Sequence, residues 1–221
     1  MPSLLTAPYL DQAARWPASG HHILAQYDEA AVVVYQAYRP AIGHYAAAHG
    51  RFGGDFSLDR MSWIKPNFLW MMYRSAWGTA EGQTVVLAVW LQRVAFDALL
   101  EQAVPSTYDA ARSPDRADWQ RAVAESSVRM QWDPDHDPTG APLARRALQL
   151  GLRGAALAGY ARDWLVRVED ISDFVAEQRP HATIGGDLAR LLTPRERVYP
   201  VADVHMAARL GIGAAMPDRP A

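Results

Sequence analysis

Residues 60–77 read RMSWIKPNFLWMMYRSAW, and no other stretch of the 221-residue chain is so dense in unusual side chains. Three of the eight tryptophans, Trp63, Trp70 and Trp77, stand seven apart here, a spacing that returns to nearly the same helical face. Pro66 suits a first helical turn, where its missing N–H costs nothing, and it drives Lys65 toward extended backbone. The stretch therefore predicts a short extended lead-in and a helix from about Pro66 to Ser75. Lys65, the sole lysine of the chain, and Arg74 lie inside this apolar run. Cations among indoles are costly to desolvate unless an anion meets them, so the block points to a class of ligand before it points to a reaction.

Outward from the block, Ala31–Tyr38 (AVVVYQAY) is β-branched and aromatic between Asp28-Glu29 and Pro40, which predicts a strand. Its alternation places Val32, Val34, Gln36 and Tyr38 on one face and Val33, Tyr35 and Ala37 on the other. Gln36 between aromatics is either a ligand contact or a hydrogen-bonded core residue. Pro40–His49 predicts a helix, and HGRFGGDF after it a loop in which glycines beside Arg51 could let backbone N–H groups approach a phosphate. Thr84–Leu91 is the clearest strand, Val94–Ala103 a helix, Pro105–Asp118 a surface insertion, Trp119–Glu125 a short helix, and Val128–Trp132 and Arg146–Leu152 are further strands. Gly154–Val168 predicts one amphipathic helix with Leu157, Tyr160, Trp164 and Val168 on its stripe; Ile171–Gln178 and Gly186–Leu192 predict shorter ones. Irregular interspersion of strands and helices favours α+β over a doubly wound sheet. The expected organisation is an N-terminal arm over 1–20, one α+β domain over 21–200 with a mixed or antiparallel sheet flanked by helices, and a weak C-terminal tail over 201–221.

Composition bounds the function. A net charge of −2 supplies no global field for nucleic acid, although a local basic cleft stays open. Arginine outnumbers lysine 21 to 1, which a GC-rich genome explains. Absence of cysteine excludes disulfides, thiol nucleophiles and thiolate metal sites. Residues 1–20 carry no signal-peptide core, and no window approaches eighteen apolar residues. A cytoplasmic protein without a membrane partner is the expectation.

Most catalytic constellations lack an anchor. There is no G-x-S-x-G, and His44 and His49 do not share a helical face. Asp133-Pro-Asp-His-Asp-Pro138 has Pro138 and Ala144 where a calcium loop needs glycine and glutamate, so no metal is expected there. Arg51, Arg60, Lys65 and Arg74 together with Trp63, Trp70, Tyr73 and Trp77 form a stronger set. Guanidinium and ammonium groups bind phosphate and flat rings stack on bases, a combination suited to a nucleotide-type small molecule or to nucleic acid. The same residues also suit a plain aromatic core with snorkelling cations.

YDEAAVVVYQAYRPAI, the 60–77 block, GQTVVLAVWLQRVAF, SSVRMQWDPDHD and RRALQLGL, in that order from about Ile23 to Tyr199, resemble a bacterial and fungal family catalogued as domain of unknown function 4291. The order of elements also looks like that of nucleic-acid-modifying ADP-ribosyltransferases. That resemblance implies an enzyme using NAD, with Tyr35, Gln36 and Tyr38 on the first strand and Tyr73 ending the segment beside the nicotinamide. It puts Gln131 and Asp133 on the late catalytic strand, with Gln131 where those enzymes carry glutamate. On this reading Gln131, Asp133 and Tyr73 are the catalytic set. Gln36, Tyr38, Arg51, Trp63, Lys65, Arg74 and Trp77 are the NAD-binding set. The alternative is a nucleotide- or RNA-binding domain without turnover.

Overall fold

A computed structural model of the chain describes residues 4–110 and 115–213. In chain order the elements are β1 (Thr6–Pro8), α1 (Tyr9–Ala13), β2 (Gly20–His21), β3 (Leu24–Ala25), β4 (Ala31–Tyr38) and α2 (Pro40–His49). Next come β5 (Ser62–Ile64), α3 (Phe68–Ser75), β6 (Val85–Gln92), α4 (Arg93–Gln102), β7 (Val104–Pro105), α5 (Arg116–Glu125) and β8 (Val128–His136). The chain continues through β9 (Pro142–Leu152), α6 (Gly154–Arg162), β10 (Leu165–Asp170), α7 (Ser172–Ala182), β11 (Leu192–Pro194), β12 (Arg197–Val198) and α8 (Val204–Leu210).

β4 and β6 pair antiparallel along their whole lengths, with β10 on the far edge of β6. Their period-2 alternation splits two cores. Val32, Val34, Leu87, Val89 and Leu91 face α4 and α6, while Val33, Tyr35, Val86, Ala88 and Trp90 face α3 and α7. Helices on both faces explain why these strands read as nearly continuous apolar runs. A second, mixed sheet runs β2-β9-β8-β7, and β5 also pairs with β9. One isolated bridge, Tyr35 to Lys65, ties β4 to the chain just after β5. The protein is thus a single-domain α+β structure with a curled, split sheet.

Several segments depart from the sequence expectation. Gly154–Val168 is not one helix: α6 stops at Arg162 and the chain returns as β10. Trp164 folds over Gly159, where an added Cβ would fall 2.4 Å from the indole, and Leu165–Asp170 then fills the open edge of β6. An unpaired strand edge outweighs helical periodicity. β8 continues through Asp133 to His136, expected as a loop, because pairing with β9 persists there and the buried Asp135 meets Arg145. Residues 186–191 form turns instead of a helix and lead into β11, which pairs with β1. Residues 6–13 are therefore docked rather than loose, and Gln12 is buried with its amide hydrogens donated to Ala7, Thr193 O and Thr193 Oγ1. Past Val201, α8 packs the buried Leu210 against the domain, and the Trp132 indole donates to the Leu210 carbonyl. The remainder of the expected tail, 214–221, lies outside the described residues, as do 1–3 of the expected arm and 111–114 of the expected insertion.

α2 approaches β6 at Gly43, where an added Cβ would sit 2.4 Å from Val85 Cγ1 and 2.5 Å from Val85 Cβ. Gly43→Ala gains about 1 kcal/mol of helix propensity but overpacks the joint by about 1–3 kcal/mol. The expected net result is a lower denaturation midpoint, checked by urea unfolding.

Candidate functional site

The chain enters the block as β5 and leaves it as α3. β5 pairs with β9 in the register Ser62↔Leu152, Trp63↔Gly151, Ile64↔Leu150. Ile64 is fully buried in the α4/α6 core, so its neighbours Trp63 and Lys65 turn to the opposite face. Gly151 makes room for Trp63: a Cβ there would fall 2.9 Å from the indole and 2.8 Å from Met61 Sδ. Lys65 is clamped by its backbone, the Tyr35 N–H donating to Lys65 O at 2.7 Å and the Lys65 N–H to Tyr35 O at 3.3 Å. Asn67 caps α3 with its side-chain oxygen, which accepts the Trp70 N–H at 2.6 Å, and the buried Glu196 carboxylate accepts the Phe68 N–H at 2.7 Å. These acceptors satisfy two of the donors a helix start leaves open. The helix begins two residues later than Pro66 because Asn67 is the better cap.

Lys65 is only 7% exposed, and no hydrogen bond or ion pair among the described residues meets its ammonium. Burial, reinforced by the Arg74 charge and opposed by Asp133, lowers its pKa to about 8. Arg74 itself is exposed at the last turn of α3. Asp133 projects from β8, accepting from Gln131 Nε2 at 2.8 Å and from Gln149 Nε2 at 2.5 Å. Gln131 and Gln149 are register partners across β8 and β9. Beside this cluster Tyr73 stacks on His136 with ring centroids 3.6 Å apart and planes at 12°, and Trp70 lies nearly parallel to both. Burial lowers the His136 pKa against the pull of Asp135. Among the described residues His136 Nδ1 and Trp70 Nε1 are buried without a hydrogen-bond partner.

The fold thus gathers Lys65, Arg74, Gln131 and Asp133 beside Tyr73, with Trp63 on the same face of β5. Other sequence-derived candidates sit elsewhere. Gln36 is buried, and its amide donates to Tyr38, Ser62 and Trp63 O while its oxygen accepts from the Tyr160 hydroxyl. Tyr38 closes the same network through Ser62, and burial raises its pKa. Both lie on the face of β4 opposite Lys65. Arg51 is exposed on a loop whose next residue, Phe52, packs into that opposite core. Trp77 donates its indole N–H to Pro138 O and packs edge-on against Phe68. It follows Ala76, and both take left-handed backbone, at φ 54° and 48°, a conformation disfavoured for side-chain-bearing residues. Gln149 and His136 escaped sequence reasoning. The alternation of RRALQLGL puts Gln149 on the polar face, whereas His136 lies in the proline-flanked acidic segment 133–138, where no local signal shows the pairing with β9.

These features define an α+β protein with a split sheet and a cationic, aromatic face beside the split. The chain belongs to the family described as domain of unknown function 4291, whose profile matches residues 22–199. No curated protein matches it. Among the described residues no helix is long and apolar enough to cross a membrane.

The depressed Lys65 pKa has a definite sign. Between about 8 and the usual 10.5 the unfolded chain holds a proton the folded chain has lost, so stability rises with pH there, while below pH 8 the full cost of the buried charge remains. Lys65→Met is expected to raise unfolding free energy at pH 7, on the order of 1–3 kcal/mol. The advantage should shrink toward pH 10.5, as followed by denaturant titrations at both pH values.

Proposed function

We propose that the Lys65 face binds the diphosphate of NAD and that the protein is an ADP-ribosyltransferase-like enzyme with nucleic acid as its acceptor class. One observation carries this reading: a buried ammonium that no hydrogen bond or ion pair among the described residues meets, with the Arg74 charge working against it and Asp133 acting on it only from a distance. An anionic ligand would supply the missing countercharge. Lys65 and Arg74 hold phosphate oxygens, and Trp63 and Tyr73 offer flat surfaces for a ring. Asp133, oriented by Gln131 and Gln149, stabilises the positive charge that develops at the ribose carbon. In the transfer, the bond from that carbon to nicotinamide breaks and nicotinamide leaves with the electron pair. The acceptor nucleophile then bonds to the same carbon and gives up its proton. Order of elements supports the reading by analogy of fold, which by itself does not assign an activity.

A second reading, a nucleotide- or RNA-binding domain without turnover, is favoured by Asp133 having both oxygens occupied by amide donors. One experiment separates the two. The protein is incubated with NAD and mixed DNA and RNA, and released nicotinamide and modified nucleic acid are measured by mass spectrometry. The enzyme reading expects release that Asp133→Asn cuts at least about 100-fold while NAD affinity changes little. Lys65→Ala is expected to weaken NAD affinity at least about tenfold, and wild-type affinity should fall as pH rises through about 8. Saturable NAD binding with no nicotinamide released would leave only the binding-domain reading.

A further inference from the structure

A cavity of about 770 Å³ opens between the N-terminal segment, the start of β4 and β12. Its volume falls in the range of small-molecule sites, roughly 300–1,000 Å³. It shares no lining residue with the Lys65 face: its wall is formed by Ala31 and Val33, the far end of the strand that carries Tyr35. Three features give it a chemical character.

Deep in the cavity lies Glu196, only 5% exposed. Its Oε1 accepts the Phe68 N–H, and no donor among the described residues meets Oε2. Burial pushes its pKa well above the usual carboxyl range, with Asp135 adding to the effect. The free oxygen can therefore donate a proton or accept one according to what faces it. At the mouth, Arg15 and Arg195 are exposed and their guanidinium groups make no hydrogen bond or ion pair among the described residues, with Asp11 as the nearby acid lining the same opening. The other lining acid, Asp28, is committed to the N–H groups of Ala30 and Ala31. Trp16 and Tyr27 line it as well: Trp16 is held by its indole N–H to the Glu196 carbonyl and has Arg145 over its ring at 5.4 Å, whereas the Tyr27 ring already carries Arg197 at 4.1 Å and Arg93 at 5.4 Å. The cavity thus has arginines free for an anion, aromatic walls, and one deep hydrogen-bonding group of adaptable polarity.

We propose that this cavity is a second ligand site, for a nucleotide. Its phosphate meets Arg15 and Arg195 at the mouth, its base lies against Trp16, and the hydrogen-bonding edge of that base meets Glu196. Base edges present donors beside acceptors, which matches a carboxyl able to act as either. A bare aliphatic phosphate would leave Glu196 and the rings unused, and an uncharged aromatic would leave the arginines unused. The nucleotide is either a free monophosphate or the end of a strand. The site stands apart from the proposed NAD reading and does not require it.

The test is calorimetric titration of the intact protein with AMP, GMP, CMP and UMP, with the parent nucleosides, with inorganic phosphate, and with 5′-phosphorylated dinucleotides. Variants are Arg15→Ala/Arg195→Ala and Glu196→Gln, the latter keeping an acceptor for the Phe68 N–H; thermal midpoints confirm that each is folded. The expected result is saturable binding of at least one monophosphate, at least tenfold tighter than its nucleoside or phosphate alone. The double arginine variant should weaken it at least tenfold, and Glu196→Gln should change the ranking of the four bases. Lys65→Ala should leave it unchanged. Tighter binding of the dinucleotide assigns the site to a strand end, and equal or weaker binding to a free nucleotide. No saturable binding by any monophosphate, undiminished binding in the double arginine variant, or loss of binding in Lys65→Ala overturns the proposal. The last outcome would place the nucleotide on the Lys65 face instead.

Discussion

A three-residue strand carries the join between the two halves of the sheet. β5 is hydrogen-bonded to β9 on one side, and the residue just past it, Lys65, exchanges both backbone bonds with Tyr35 of β4 on the other. Tyr35 is fully buried and packs edge-on against Phe68 at 5.4 Å. Strand, bridge and helix start are thereby locked within four residues. The alternation of a strand then leaves no choice: with Ile64 in one core, Trp63 and Lys65 must face the other way. The sole lysine is buried because the backbone on either side of it has nowhere else to go.

The protein buries charge in two contrasting ways. Arg145 and Asp135 form a close pair, 2.7 Å from Nε and 2.6 Å from Nη2 to the same carboxylate oxygen, both nearly inaccessible, with a further guanidinium donor meeting Pro17 O. Trp16 lies across the guanidinium at 5.4 Å. That pair is complete, and it anchors the N-terminal segment to β8 and β9. Among the described residues Lys65 has no such contact partner, and it lies near a second cation, Arg74, with Asp133 only partly offsetting it. A buried pair with its hydrogen bonds made is ordinary architecture. An unpaired ammonium beside a guanidinium works against stability, which is the physical reason to look for a ligand at that place and not at Arg145.

Much of this arrangement is legible along the chain. β4 spans the AVVVYQAY run and α2 starts at its proline, because β-branched alternation and Pro at N1 are local signals that tertiary packing merely accepts. The cation–aromatic block also drew Lys65, Arg74, Trp63 and Tyr73 together in sequence, whereas Gln131 and Asp133 were pointed to only by the resemblance in element order to ADP-ribosyltransferases. What stayed hidden is what depends on partners distant in sequence. β10 reads as the second half of a helix until β6 offers it an edge, and β1 reads as a loose arm until β11, more than 180 residues later, pairs with it. Gln36 reads along the chain as either a ligand contact or a hydrogen-bonded core residue, and only the arrival of Tyr160 and Ser62 shows where its amide is bonded. His136, in an acidic and proline-flanked segment, gives no sign along the chain that Tyr73 covers it.

Residue type and local periodicity by themselves determined which segments become the central strands, where α3 sits, and that a lone lysine would lie among tryptophans. Those outcomes rest on forces acting within a few residues: side-chain alternation, proline geometry and capping. Tertiary structure alone decided which cations are paired, which polar groups are already satisfied, and that a deep carboxyl and unpaired arginines share a cavity. Ion pairing, desolvation and cavity shape arise between segments far apart in the chain, and their spacing in sequence carries no trace of the distance between them in space.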